Sequence, residues 1–202
     1  MLLLAVLAGC VPPTDSSSNT TVDPNLSGPL LSEAEVRGID GLLHLEAEEL
    51  TELATYENPD PRGPCGAVVS QPPIRDALGR GFTALTLSVI ELVVLSTETS
   101  RAYLDAVLAD GVDGCGEFTS TTNRGQTQTV SEITFVDASD LPESALAWMS
   151  RVDVADRAAF IGAGIFEANG YVVVIQMQSN FPIPLPQLQQ VVQKAADRIN
   201  AQ

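Results

Sequence analysis

Lysine is almost missing from this chain. Lys194 is the only one in 202 residues, and the formal net charge is −16. A surface of that sign cannot supply the basic face that phosphate contacts need, so nucleic acid is excluded as a partner. Histidine is as scarce: His44, between Leu43 and Leu45, is the only one. With no Gly-x-Ser-x-Gly elbow either, a hydrolase of the Ser-His type has no recognisable base, and His44 reads as structural. Zinc needs clusters of Cys and His, which are absent, so no metal site is expected. Gly162-Ala163-Gly164 begins like a dinucleotide loop. It lacks the third glycine and lies inside a strand signal, so it marks a bulge or close packing, and no cofactor is expected. Aromatics are few, with one Trp, three Tyr and six Phe, so the core must be aliphatic. No apolar run approaches the roughly 20 residues of a membrane span.

Carboxylates are what remains for chemistry. Asp110, Asp113 and Glu117 form one group, and Asp137, Asp140 and Glu143 another. Neither has the spacing of a defined calcium loop, and both read as solvated turns. Glu46, Glu48, Glu49 and Glu52 form an acidic run that reads as an exposed face. Glycoside chemistry needs one converging pair of carboxylates, and nothing in the sequence singles out a pair. The chain is therefore read as a non-enzyme, with a carboxylate enzyme as the third-ranked alternative.

The informative stretch is near the start. An apolar run from Leu2 to Ala8 leads into Leu7-Ala8-Gly9-Cys10, followed at once by Val11-Pro12-Pro13-Thr14-Asp15. An apolar segment, two small residues and then Cys is the pattern of a bacterial lipoprotein signal. Small residues fit a narrow peptidase site, and the Cys10 thiol accepts a diacylglycerol before cleavage. One buried acyl chain gives marginal membrane binding, and two make a stable anchor. The alternatives are an ordinary secretory signal, or a buried strand with a stray Cys. The basic residues expected ahead of the apolar run are missing, so a start codon further upstream is expected.

This reading divides the chain into a signal peptide over 1–9, a lipidated Cys10 with a Ser/Thr/Pro-rich tether over 10–29, and one extracytoplasmic domain over 30–202. The domain is of ordinary single-core size. A flexible tether of about 20 residues spans about 25 Å. Screening at physiological salt acts over about 8 Å, so an acidic domain can float clear of anionic headgroups. Cys65 and Cys115 remain as an even pair in an oxidising compartment and are expected to form a disulfide, with two buried free thiols as the alternative. Neither belongs to a CxxC pair, so thiol-redox chemistry has little support.

Along the domain, Ser32 with Glu35 is a capping box that predicts a short helix from Glu33 to about Arg37, stopped by Gly38. Residues 42–56 are ambiguous, but Leu42, Leu45, Glu46, Glu49, Leu50 and Leu53 suit a helix. Pro72-Pro73 predicts another short helix over Ile74 to Leu78. Phe82 to Leu95 reads as one long strand. Ser96 or Thr97 caps a helix to Ala109, with Ala102, Ala106 and Ala109 as its packing face. Strands are predicted at Cys115–Thr121, Gln126–Val136, Trp148–Ala155 and Arg157–Glu167, with a hairpin turn at Asn123-Arg124-Gly125. A tight turn at Ala168-Asn169-Gly170 precedes a nearly continuous apolar strand, Tyr171–Met177, placed mid-sheet. The last helix carries Leu185, Leu188, Val191, Val192, Ala195, Ala196 and Ile199 on one stripe. The sum is an α+β single domain: a twisted, mainly antiparallel sheet with two main helices packed on one face.

This order of features resembles a family of actinobacterial lipoproteins with a sensor-like domain, similar to the extracellular domain of mycobacterial receptor serine/threonine kinases. The matching residues are Leu30-Leu31-Ser32-Glu33-Ala34-Glu35-Val36, Cys65 followed by Gly79-Arg80-Gly81-Phe82, and the passage from Leu92-Val93-Val94-Leu95 to Ala109. Gly114-Cys115 and Ala168-Asn169-Gly170-Tyr171-Val172-Val173-Val174 complete the set. The resemblance spans about residues 30–200. It implies an extracytoplasmic α+β domain with a groove that binds something outside the cell, no catalytic residues, and a first disulfide matching Cys65 and Cys115. The family's second disulfide is absent, as is the Trp usual before the second Cys of the first pair. Three functions are carried forward. The first is a membrane-anchored sensor or binding module for a small or lipidic envelope ligand. The second is an accessory module docking on an envelope enzyme or receptor kinase, and the third is the carboxylate enzyme.

Overall fold

The computed structural model describes residues 28–39, 42, 46–50, 78–84, 86–113, 115–121, 127–155 and 157–202; at 46–50, 110–113 and 120–121 it describes only the backbone. Cys10, His44 and Cys65 lie outside the described residues, as do the signal and tether up to residue 27, the Asn123-Arg124-Gly125 turn and most of the helix expected over Ile74–Leu78.

Among the described residues, eight strands form one antiparallel sheet: β1 (Glu46–Leu50), β2 (Leu78–Thr83), β3 (Leu87–Leu95), β4 (Phe118–Thr121), β5 (Thr127–Phe135), β6 (Leu146–Val154), β7 (Arg157–Ala168) and β8 (Tyr171–Ser179). Their spatial order is β1-β2-β3-β8-β7-β6-β5-β4. The first three strands and the last five are therefore two meanders joined where β3 pairs with β8, with Val93 opposite Val173. The short helix α1 (Glu33–Arg37) precedes the sheet, α2 (Glu98–Asp113) carries the chain from the sheet's middle to its far edge, and α3 (Leu185–Asn200) ends it. A 3₁₀ turn covers Ala138–Asp140.

The α1 capping box is present, with Ser32 and Glu35 bonded reciprocally. The Asn169–Gly170 turn places both residues at positive φ, 47° and 80°, the pair that a two-residue hairpin requires. The apolar β8 run sits in the sheet interior, as its sequence implied.

Four expectations need correction. Within the segment read as suiting a helix, Glu46–Leu50 is a strand, registered on β2 from Glu46–Thr83 to Leu50–Gly79. Residue 78, the predicted helix end, opens β2 instead. The single long strand over 82–95 is two strands in a hairpin, closed by Ala84 N–H to the Leu87 carbonyl at 2.8 Å.

The fourth correction concerns the helices, which lie on opposite faces of the sheet. One apolar cluster joins α3's Leu188, Val191, Val192, Ala195, Ala196 and Ile199 to Val173, Ile175, Met177 and Phe166. The other joins α2's Leu104 and Val107 to Val172, Ile165, Ala163 and Trp148. Successive residues of a strand point to opposite faces, so the two sets separate by parity along β7 and β8. A strand apolar at every position, such as Val172-Val173-Val174-Ile175, needs cover on both sides. The α2 packing face is accordingly Leu104 and Val107, while Ala102, Ala106 and Ala109 are exposed.

Gly162 and Gly164 lie on the α3 face. A Cβ on Gly164 would stand 2.5 Å from Val192 Cγ2, and one on Gly162 would stand 3.4 Å from Leu188. The glycine pair therefore lets α3 approach the sheet, and its ladder runs without a bulge.

Candidate functional site

The described surface is indented beside the N-terminus of α3. A groove of about 220 Å³ is lined by Glu132, Thr134, Met149, Ser150, Arg151, Phe160, Ile161, Pro182 and Ile183. Its position follows from three local features. The Pro182-Ile183-Pro184 connector is fixed in φ at its prolines and runs from β8 into α3, with Pro184 as the N-cap. Register between β5 and β6 slips between Ser131 and Thr134, which leaves a bulge holding Glu132 at φ 53°. Such a bulge bends its strand and re-aims a side chain. Met149 and Phe160 share the α3 face of β6 and β7, and both pack against the main core.

The groove floor is thus apolar and its rim charged. Arg151 holds Asp153 through two parallel bonds, Nε to Oδ2 at 3.0 Å and Nη2 to Oδ1 at 2.9 Å, and reaches Glu132 at 3.5 Å. Next along the chain, Phe181 is 63% exposed and Leu185 37% exposed. These are two of the exposed large apolar side chains, and together with the groove they give an apolar surface with a polar rim.

The second unusual place is buried. Glu91, mid-strand in β3, is fully buried on the α3 face. Its Oε2 accepts the Leu31 N–H at 2.6 Å, and Arg80, its register partner on β2, donates to the Leu31 carbonyl at 2.6 Å. Burial pushes the Glu91 carboxyl up to about 8, although the Leu31 bond and Arg80 both favour the charged form. Glu91 thus reads as a neutral acid at pH 7, since an unpaired buried charge would cost several kcal/mol.

Among the described residues, those singled out from the sequence are not gathered into one site. Among the described residues no group of three or more His, Cys, Asp or Glu could hold a metal ion. Asp137 caps the 3₁₀ turn by accepting from the Ser139 N–H and hydroxyl, both at 2.9 Å, and Asp140 accepts from Gln189 at 3.3 Å. Asp137, Asp140 and Glu143 are all exposed, as is Glu117. These carboxylates make solvated turns. Cys115 is buried just before β4.

Sequence reasoning missed both the groove and Glu91. The groove had no signal except the Pro182/Pro184/Pro186 cluster. Glu91 had one: it is the only charged residue in Leu87–Leu95.

No family model matches the sequence, and no curated protein is similar to it. The fold does have a solved counterpart. The extracellular domain of PknH from Mycobacterium tuberculosis superposes with a TM-score of 0.62 at 17% identity, over 88% of this chain and 96% of that domain. At that identity the likeness is one of fold, and it agrees at that level with the resemblance read from the sequence. Among the described residues no helix is long and apolar enough to cross a membrane.

Proposed function

We propose that this chain is an extracytoplasmic sensor-type binding module, held at the membrane through lipid on Cys10. The observation that carries the proposal is the fold shared over nearly the whole domain with the extracellular part of a receptor kinase. The Leu7-Ala8-Gly9-Cys10 pattern supports the same side of the membrane independently. A Cys65–Cys115 disulfide belongs to this reading, motivated by the even pair of cysteines that an oxidising compartment would join.

Binding is assigned to the groove at the start of α3. Sites that enclose a whole drug-sized molecule usually measure about 300–1,000 Å³. At about 220 Å³ the groove suits one inserted apolar side chain or a short acyl segment, extended along Phe181 and Leu185. That size is also the observation favouring the second reading, an accessory module that docks on an envelope protein.

Native mass spectrometry of the full-length protein released from membranes separates the two. A discrete added mass, lost in a Met149→Arg variant, establishes a ligand in the groove. An unliganded mass, with a cross-linked protein partner that Met149→Arg abolishes, establishes docking. If Met149→Arg changes neither, the groove is not the site.

A further inference from the structure

The segment that leads into the fold, Gly28–Ser32, lies as a strap across the α3 side of the sheet. Leu30 is 3% exposed and Leu31 fully buried. One end of the strap is held by the end of α3: the Gly28 carbonyl accepts from Arg198 Nε at 2.8 Å and from Gln202 Nε2 at 3.0 Å. The middle is held by the sheet, where the two polar groups of the Leu31 peptide unit are taken by Glu91 and Arg80. The far end is held by the α1 capping box at Ser32.

Strap and core meet through a titratable group buried in apolar surroundings. Glu91 stands opposite Ile175 on β8 and among Val89 and Val93 of its own strand. The charged groups acting on it are Arg80 on β2, Glu35 on α1 and Arg198 on α3, which itself reaches Glu35 at 3.7 Å. Among the described residues, Oε1 of Glu91 has no hydrogen-bond partner. A carboxylate there would keep one oxygen uncompensated, whereas the neutral acid retains an acceptor for Leu31.

We propose that Glu91, Arg80 and the Leu31 peptide unit form a proton-linked latch: protonated Glu91 holds the Gly28–Ser32 strap on the sheet, and loss of that proton releases the strap. Opening exposes Glu91 to water, where its carboxyl returns to the ordinary range. Each opening above that range therefore releases one proton. The opening constant then rises about tenfold per pH unit until the folded carboxyl itself ionises. The direction is unusual, because most carboxylate contacts loosen on acidification and this one loosens as the pH rises. Burial raises Glu91 to about 8, which places the upper end of the response near that pH. Glu35 is held below its ordinary range: partial burial raises it, but the Ser32 bonds and Arg198 outweigh that. Glu91 is therefore the group that changes state at the strap.

Amide hydrogen exchange on the full-length chain tests this, with opening constants for Leu30, Leu31 and Ser32 corrected for intrinsic rates between pH 5.5 and 9. The latch predicts a strap constant at least about tenfold above that of the β8 amides, rising about tenfold per pH unit to near pH 8 and then levelling. In Glu91→Gln the strap constant is flat across the range. A flat wild-type profile overturns the proposal. So does a strap constant equal to that of β8 at every pH, which makes Glu91 a group of global unfolding only. An unchanged slope in Glu91→Gln also overturns it. If Glu91→Gln does not fold, the wild-type comparison of strap and β8 decides alone.

Discussion

Glu91 and Gly164 show how single residues carry this fold. Glu91 has its folded-state carboxyl raised from 4.5 to about 8 by burial. The folded chain thus keeps a proton that the unfolded chain has already lost, and stability falls as the pH rises through that window, by up to roughly 1.4 kcal/mol per unit. Urea denaturation at pH 5.5 and 8 should show a steeper loss for wild type than for Glu91→Gln, with the variant the more stable at pH 8. Equal slopes would mean that Glu91 is solvated in the fold. Gly164 is a matter of space. Its missing side chain leaves room for Val192, and Gly164→Ala should cost about 1–3 kcal/mol by overpacking, with Gly162→Ala costing less because its nearest contact is ordinary. Thermal denaturation of the pair checks that order. The sequence showed the two glycines but not which would be tight, since that depends on where α3 crosses β7. It also showed Glu91 as a lone charge in an apolar strand, while its partner is a backbone unit 60 positions away that no pattern could supply.

Among the elements, α3 and β8 were legible because each carries a pure period. The α3 stripe from Leu188 to Ile199 is buried as its spacing implied, and Leu185 alone of the set is exposed. Both faces of β8 are apolar, which placed it inside the sheet. β1 was not legible: Glu46-Ala47-Glu48-Glu49-Leu50 fits a helix as well as a strand, and pairing with β2 decides. The β2–β3 hairpin escaped notice because Ala84-Leu85-Thr86 contains no Gly, Pro or Asn to mark a turn. The packing face of α2 was misread because small residues suggest close approach, whereas the sheet meets Leu104 and Val107. Leu104→Ala should therefore cost about 2–5 kcal/mol, and Ala106→Ser within about 0.5 kcal/mol. At the helix start, the Thr97 hydroxyl accepts from Ser100 N–H at 3.3 Å and Ser100 Oγ accepts from Thr97 N–H at 2.8 Å. Thr97→Ala should cost about 1 kcal/mol. Chemical denaturation of all three variants tests the opposite-face arrangement together with the cap.

At the scale of the whole molecule, two meanders are welded by β3 and β8 and covered by a helix on each side. The fold class was legible in the strand and helix signals. The placement of the helices was not, because periodicity tells which residues are buried and not which face buries them. The groove was illegible for a related reason. It arises where a bulge in β5, two side chains of β6 and β7, and the connector before α3 converge, and these four segments lie up to about 50 residues apart, the long-range kind of contact that sequence patterns do not encode. The acidic surface has a consequence at this scale. With the anchor proposed above, the chain's net charge of −16 should keep the folded part clear of anionic headgroups. Binding of the domain without its anchor to anionic vesicles should be undetectable at physiological salt. Measurable binding there would show that the folded part itself contacts lipid.

The central claim is that this fold works outside the cell from a lipid anchor, and the intact mass of the chain recovered from bacterial membranes tests it most directly. The account predicts a mature chain beginning at Cys10 with the added mass of acyl chains, and a Cys10→Ser variant that leaves the detergent phase for the aqueous one. A chain that retains residues 1–9, carries no lipid and stays with the cytoplasmic fraction would contradict it.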